Sequence, residues 1–378
     1  MRNFSRDSIM IDTTDQTKTK LREATVRGTS FPHAVRFHVG FWVLLVLLLL
    51  AIILATGAGA VRIAPRTVFS ILFNHSGMGH VSPTWLPSDE IIIFRIRLPR
   101  VLGAAFIGAA LSVAGVLFQG LLRNPLADPY VIGASGGAAL GSVLGLLLSV
   151  HIKVLGFGAV PTLAFLGALG TMILVYQLAR VGGRTSVVTL LLAGFVVSVF
   201  LSCTMSFLLI VNDRLQLNTR IIYAWLLGGI SVTHWSQVGA IGCAVLVGCA
   251  LAMALAKSLN ALALGEEYAE HLGISVERNK TAIIVLGSVL TAAAVSGGGL
   301  IGFVGLIVPH SLRLLFGPDH TRLLPLAALG GAVFLVMADL LSRVLLPPTE
   351  LPVGILTAFC GGPAFLFLLQ RSKREYRF

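Results

Sequence analysis

The amino-acid sequence predicts an all-α, polytopic membrane protein with about ten transmembrane helices. Composition is the first observation. Of 378 residues, 56% are hydrophobic and only 12% are charged, where a soluble domain carries about 25% charged residues. The mean hydropathy is +0.90. The second is the stretch Val101 to Leu122, which contains no charged residue. About 20 apolar residues suffice for a helix to cross a bilayer. The third is the recurrence of such stretches. Roughly ten of them, with short loops and tails, use up the length and leave no room for a second soluble domain.

Residues 1–38 are read as a cytoplasmic, largely disordered tail, because Met1 to Arg36 is polar and lacks hydrophobic periodicity. The transmembrane domain spans 39–370, and 371–378 form a short basic tail. The first span runs from about Val39 to Ala60. Val61 to Glu90 reads as a loop with Pro65, Pro83 and Pro87. Its His75, Met78 and His80 invite a metal or haem reading, but without a third fixed ligand a Gly-rich turn explains them better. The second span is Val101–Leu122. Pro99 is expected in its first turn, where a missing N–H costs nothing, and Asn124-Pro125 is expected to end it. Gly103, Gly108, Ala109 and Gly115 provide small-residue spacing for close helix packing.

Further spans are expected at about Tyr130–Ser149, Gly158–Ala179, Val187–Val211, Val238–Ala256, Thr281–Val295, Leu300–Leu315, Leu323–Leu346 and Val353–Leu369. Arg180 to Ser186 is a short basic turn. Asn212 to Gln237 reads as an interfacial segment with a short helix, its Trp225 and Trp235 at headgroup level. Lys257 to Lys280 differs from every other connection. Leu259, Leu262, Leu264, Tyr268 and Leu272 give it an amphipathic pattern, and Gly265 and Gly273 break it into two short helical pieces.

Roughly two thirds of the 28 Lys and Arg fall on one side of this topology. The positive-inside rule makes that side cytoplasmic, with both termini, the Asn124–Pro129 turn and the amphipathic loop. Arg95, Arg97 and Arg100 then lie outside, against the rule. The net charge of +12 sits at tails and span ends, so no nucleic-acid partner is implied. The four cysteines, Cys203, Cys243, Cys249 and Cys360, form no CxxC pair and read as small apolar residues. No G-x-x-x-x-G-K-[ST] loop, HExxH, GxSxG or carboxylate cluster is present. The chain therefore has no catalytic residue, no metal site and no cofactor of its own. Proton-coupled carriers keep ionisable groups inside the membrane. Here Asp339 is the main one, and Arg343 one turn on offers an i,i+4 pair. Energy from a separate ATPase, acting on the amphipathic loop, fits better than a stand-alone secondary transporter.

The motifs RLPR (Arg97–Arg100), NPLADP (Asn124–Pro129), LLLAG (Leu190–Gly194), ALGEEYAEHLG (Ala263–Gly273), GFVGLIVPH (Gly302–His310) and ELPVG (Glu350–Gly354) together resemble the FecCD family. Its members are permeases of type II ATP-binding-cassette (ABC) importers for vitamin B12, ferric siderophores and haem. The resemblance implies a multi-pass protein of the bacterial inner membrane, surrounded by lipid. It implies a homodimer with two ATPase subunits below and a periplasmic substrate-binding protein above. By motif position Arg97, Arg100 and Arg343 would engage acidic residues of the binding protein, with interfacial snorkelling as the alternative. Asn124, Leu126, Thr185 and Ser186 would form the cytoplasmic gate, although Val187 stands where the pattern has a hydroxyl residue. Leu264, Gly265, Glu266, Glu267, Ala269, Leu272 and Gly273 would couple to the ATPase, in helices over about 258–280. An iron chelate is the first expectation for the substrate and cobalamin the second.

Overall fold

The computed structural model describes residues 33–375, except 60, 78, 80, 149–151, 213–218 and 348. The expected tail thus lies almost wholly outside the described residues. In chain order the helices are α1 His33–Gly57, α2 Pro65–His75, α3 Pro87–Ile91, α4 Leu98–Leu121, α5 Ala134–Leu147, α6 Ala159–Ala179, α7 Val187–Val211 and α8 Thr219–Leu226. They continue with α9 Trp235–Leu264, α10 Glu266–His271, α11 Val276–Gly298, α12 Val304–Phe316, α13 His320–Val344 and α14 Val353–Glu375. Strands β1 Arg180–Val181 and β2 Arg184–Thr185 make one small hairpin, with Gly182 and Gly183 at positive φ in its turn. Seven of the described helices are long and apolar enough to cross a membrane, and three shorter apolar ones stand where the remaining spans are expected.

The chain is organised around α4. Nearly every side chain on it is buried, and α9, α11, α12 and α13 all pack on it. Lipid gives helices no hydrophobic reason to associate, so close packing of small residues must supply the attraction. A methyl group at Gly108 would strike the Gly331 carbonyl, and one at Gly115 the Gly305 carbonyl. At Gly103 it would come 2.7 Å from Val232. Gly137 and Gly167 do the same for α5 against α6.

The structure corrects three expectations. Val61 to Glu90 is not simply a loop. Pro65 opens helix α2, whose Val68 and Ile71 are buried in a satellite core with Ile63 and Ile93. Pro99 is not in the first turn of its span either. Helical structure runs continuously from Pro87 to Leu121, through a π-helical segment at Ile92–Arg97 in which Leu98 N donates to Ile93 O. Proline lacks an N–H and crowds the carbonyl four residues back, and the wider π turn accommodates that crowding. Finally, Lys257 to Leu264 belongs to the long α9. One short helix, α10, remains between the two glycines, rather than two pieces. Apolar Leu259 and Leu262 are buried, so packing extends α9 past its charged Lys257.

Candidate functional site

The residues singled out by motif gather at the two ends of the molecule. At one end, Arg97 Nη1 donates to the carbonyls of Thr56 (3.0 Å) and Gly57 (2.9 Å), and Nη2 to that of Val61. Arg343 Nη2 donates to Ala55 O at 2.9 Å and Nη1 to Ala58 O at 3.1 Å. The last carbonyls of a helix have no intrahelical partner and carry partial negative charge. Two guanidinium groups thus close the C terminus of α1. Asp339, fully buried, lies 3.1 Å from Arg343 Nε and 2.9 Å from Arg100 Nε. Arg100 Nη1 also reaches Glu350 Oε2 at 2.8 Å. The expected i,i+4 pair is present, and Arg100 joins it as a third member. Arg97 and Arg343 are only 7% and 8% exposed, turned inward onto backbone. Arg100 keeps more of its surface beside the exposed Glu350.

His75 lies nearby. Its Nε2 is 3.2 Å from Glu90 Oε1 and its ring sits 4.0 Å from that of Phe94. Met78 and His80 lie outside the described residues. No group of three His, Cys, Asp or Glu able to hold a metal exists among the described residues.

At the other end, α4 stops at Leu121 and Arg123 takes a left-handed φ of 47°. Asn124 Oδ1 accepts from Leu126 N at 2.9 Å, and Asn124 O from Ala127 N at 3.1 Å. The NPLADP motif is therefore a tight turn that closes on itself. Asp128 caps the 3-10 turn Pro129–Ile132 by accepting from Tyr130 N at 2.8 Å. Burial pushes its carboxyl pKa up to about 6, and the Tyr130 hydrogen bond only partly offsets this.

The hairpin and α10 meet close by. Ser186 caps α7 through Thr189 N at 3.3 Å. Thr185 is buried; its N–H donates to Glu277 Oε2 at 2.9 Å and its carbonyl accepts from Lys280 Nζ at 3.2 Å. The same ammonium reaches Glu266 Oε2 at 2.7 Å and Glu277 Oε1 at 3.1 Å. Lys280 is 4% exposed, so its charge needs all three partners. Arg123 Nη2 adds a looser pair with Glu266 at 3.7 Å. The expected gate turn and the first residue of α10 are thereby bridged by one lysine. Asn124 does not join the bridge; its side-chain oxygen accepts from Leu126 N instead. Lys280 and Glu277 were not singled out from sequence. The signal was a Glu–Lys pair at i,i+3 where an apolar span begins.

Helix α10 is aimed outward. Gly265 has φ 132° and Gly273 φ 77°, values that suit glycine. Ile274 N donates to Ala269 O at 3.0 Å and closes the helix after Gly273. Glu266 and Glu267 occupy its first turn, where the helix dipole favours acids. Ala269 is buried beneath it, while Leu264, Tyr268 and Leu272 are exposed.

The FecCD transport family matches residues 47–371. The uncharacterized ABC transporter permease protein YvrB of Bacillus subtilis is 44% identical over 331 residues, covering 87% of this chain and 93% of that one. The cobalamin import system permease protein BtuC of Halobacterium salinarum is 45% identical over 288 residues, covering 76% and 75%. The hemin transport system permease protein HmuU of Yersinia pestis is 39% identical over 351 residues, covering 90% and 97%. A solved chain described as an inward-facing ABC transporter of the metal-chelate type superposes with a TM-score of 0.73 at 30% identity, covering 88% of this chain and 98% of that one. The match in sequence extends over nearly all the described residues, and the match in fold reaches the same spans. This chain therefore belongs to the FecCD transport family, as a membrane permease and not an enzyme.

Proposed function

We propose that this chain is the permease subunit of an ATP-driven importer that moves a metal chelate across the bacterial inner membrane by alternating access. An iron chelate, ferric siderophore or haem, is the first choice and cobalamin the second. The relatives named above include one permease for each of cobalamin and hemin. Two copies over the 39–370 domain form the pathway, with both tails cytoplasmic. Two ATPase subunits bind the exposed Leu264, Tyr268 and Leu272 around α10, and Gly265, Glu266, Glu267, Ala269 and Gly273 give that helix its place. A periplasmic binding protein docks at the opposite end. There Arg100 makes the contact, and Arg97 and Arg343 hold the surface that presents it.

One observation carries this reading. Lys280 ties Glu266 on α10 to the Thr185 carbonyl at the expected gate. A push on α10 therefore displaces the Thr185–Ser186 turn directly; Asn124 and Leu126 supply the rest of the proposed gate. Purification with the ATPase subunits, followed by chelate uptake into proteoliposomes, tests the proposal. Uptake should require ATP and the binding protein. Equal uptake without the ATPase would make the chain a secondary transporter and overturn it.

A further inference from the structure

A cavity of about 840 Å³ lies at the NPLADP end, beside the proposed gate turn, and Leu264 of the proposed ATPase contact forms part of its wall. The ends of α4, α9 and α12 and the start of α13 enclose it. Three arginines, Arg123, Arg313 and Arg322, line it against a single carboxylate, Asp319. That carboxylate is already occupied. It accepts from Asn260 Nδ2 at 2.8 Å, from Thr321 N at 3.0 Å and from Thr321 Oγ1 at 2.8 Å, and Arg322 Nε pairs loosely with it at 3.7 Å, as Arg123 Nη2 does with Glu266.

Arg313 is the unusual member. It is half-buried, and none of the ion pairs among the described residues includes it. Its Nη1 donates to Gln119 Oε1 at 2.8 Å. That amide is itself anchored by Nε2 on the carbonyls of Leu306 (3.1 Å) and Gly305 (3.3 Å). A guanidinium has five N–H donors, so this one bond holds the group in place and leaves most of its capacity unused. His320, 4% exposed, has a further unmet atom. Asn260 Oδ1 lies 2.7 Å from Nδ1, while Nε2 has no partner within the protein. Pro125, Leu264 and Phe316 add apolar wall to the same cavity.

We propose that this cavity binds a phosphate anion, either free or as the headgroup of an anionic phospholipid. Arg313 is the central ligand, and Arg123 and Arg322 supply the surrounding field. Planar guanidinium groups match phosphate oxygens in paired hydrogen bonds, and basic pockets between transmembrane helices take such headgroups. The apolar wall suits the first acyl carbons of a lipid. An occupant would touch both the NPLADP turn at Pro125 and the α9–α10 joint at Leu264, so its binding would stiffen the region that moves in transport.

The test uses the full chain in nanodiscs of phosphatidylcholine at constant ionic strength. One arm replaces part of that lipid with phosphatidylglycerol, and the other adds inorganic phosphate. The thermal unfolding midpoint is followed in both. It should rise in at least one arm. Arg313→Gln should raise the required ligand level about tenfold, the loss expected for one charge-assisted contact. Should Arg313→Gln not fold, the exposed pair Arg123→Gln with Arg322→Gln takes its place. A rise with phosphatidylglycerol alone identifies the lipid headgroup, and a rise in both arms identifies the phosphate group itself. No rise in either arm would overturn the proposal. So would the same tenfold rise in the required ligand level in Arg62→Gln, an exposed arginine at the opposite end of the molecule, which should respond like the wild type.

Discussion

Lys280 donates to the backbone carbonyl of Thr185 across 3.2 Å while its other hydrogens hold Glu266 and Glu277. One buried ammonium thus touches the hairpin, the start of α10 and the start of α11. Removing one partner of a buried pair is costly because the other charge is left stranded. Lys280→Met removes the cation and keeps most of the volume. Uptake in proteoliposomes should fall at least tenfold, while ATP hydrolysis continues and the ATPase still co-purifies. Full uptake by Lys280→Met would mean that α10 reaches the gate by another route.

Gly265 is the joint of the same device. Its φ of 132° is closed to proline, and its N–H donates to Leu262 O at 3.2 Å. Gly265→Pro should insert like the wild type yet lose coupled uptake. Normal uptake would remove α10 from the coupling path.

The arginines at the opposite end separate into two kinds. Arg97 satisfies three carbonyls, so Arg97→Gln should leave some of them unpaired and lower stability by about 1–3 kcal/mol. A drop in the melting midpoint in detergent, insensitive to salt, is the expected sign. Arg100→Glu sets a like charge beside Asp339 and Glu350 and reverses the partly exposed charge. Affinity for the binding protein should fall and become more salt-dependent. Unchanged affinity in Arg100→Glu would leave the cluster a purely internal brace.

Asp128 sets a pH dependence. Its folded pKa of about 6 lies above the ordinary value of 3.8, so the native state holds the proton more tightly than the unfolded chain. This contribution to stability is complete below the ordinary value and is lost as pH rises through about 6. Asp128→Asn keeps an acceptor for Tyr130 N and cannot ionise. It should raise the midpoint at pH 7, on the order of 1–2 kcal/mol after solvent screening, and flatten the pH profile. The same pH profile between pH 4 and pH 7 in Asp128→Asn as in the wild type would contradict the assignment.

Leu126 lies on the NPLADP turn, pinned by its N–H to Asn124. In the proposed gate Leu126 is the apolar plug, so on that proposal Leu126→Ala should let preloaded chelate leak from proteoliposomes without ATP. A tight baseline, with no disulfide between paired Leu126→Cys copies in any nucleotide state once the native cysteines are replaced, would leave the motif as a helix stop only.

Spans, turns and the family were written in local patterns that need no partner to be read. Runs of apolar residues long enough for a bilayer determined the helices. Gly182-Gly183 and Asn124-Pro125 determined the turns, because backbone sterics act within a few residues. Gly108 and Gly115 announced close packing, but the facing carbonyls of Gly331 and Gly305 belong to distant segments. Tertiary structure decided the rest. The π segment before Pro99 lies in a helix that packing prolongs, and α9 extends past Lys257 because Leu259 and Leu262 have somewhere to be buried. Arg97 and Arg343 read alike with Arg100 in sequence. Only the fold sets the first two against the C terminus of α1, where unpaired carbonyls attract them, and leaves Arg100 partly exposed between Asp339 and Glu350. The Glu277–Lys280 pair was legible in sequence, but the role of Lys280 was not, for the same reason. Its importance lies in the Thr185 carbonyl, which is far away in the chain and adjacent in space.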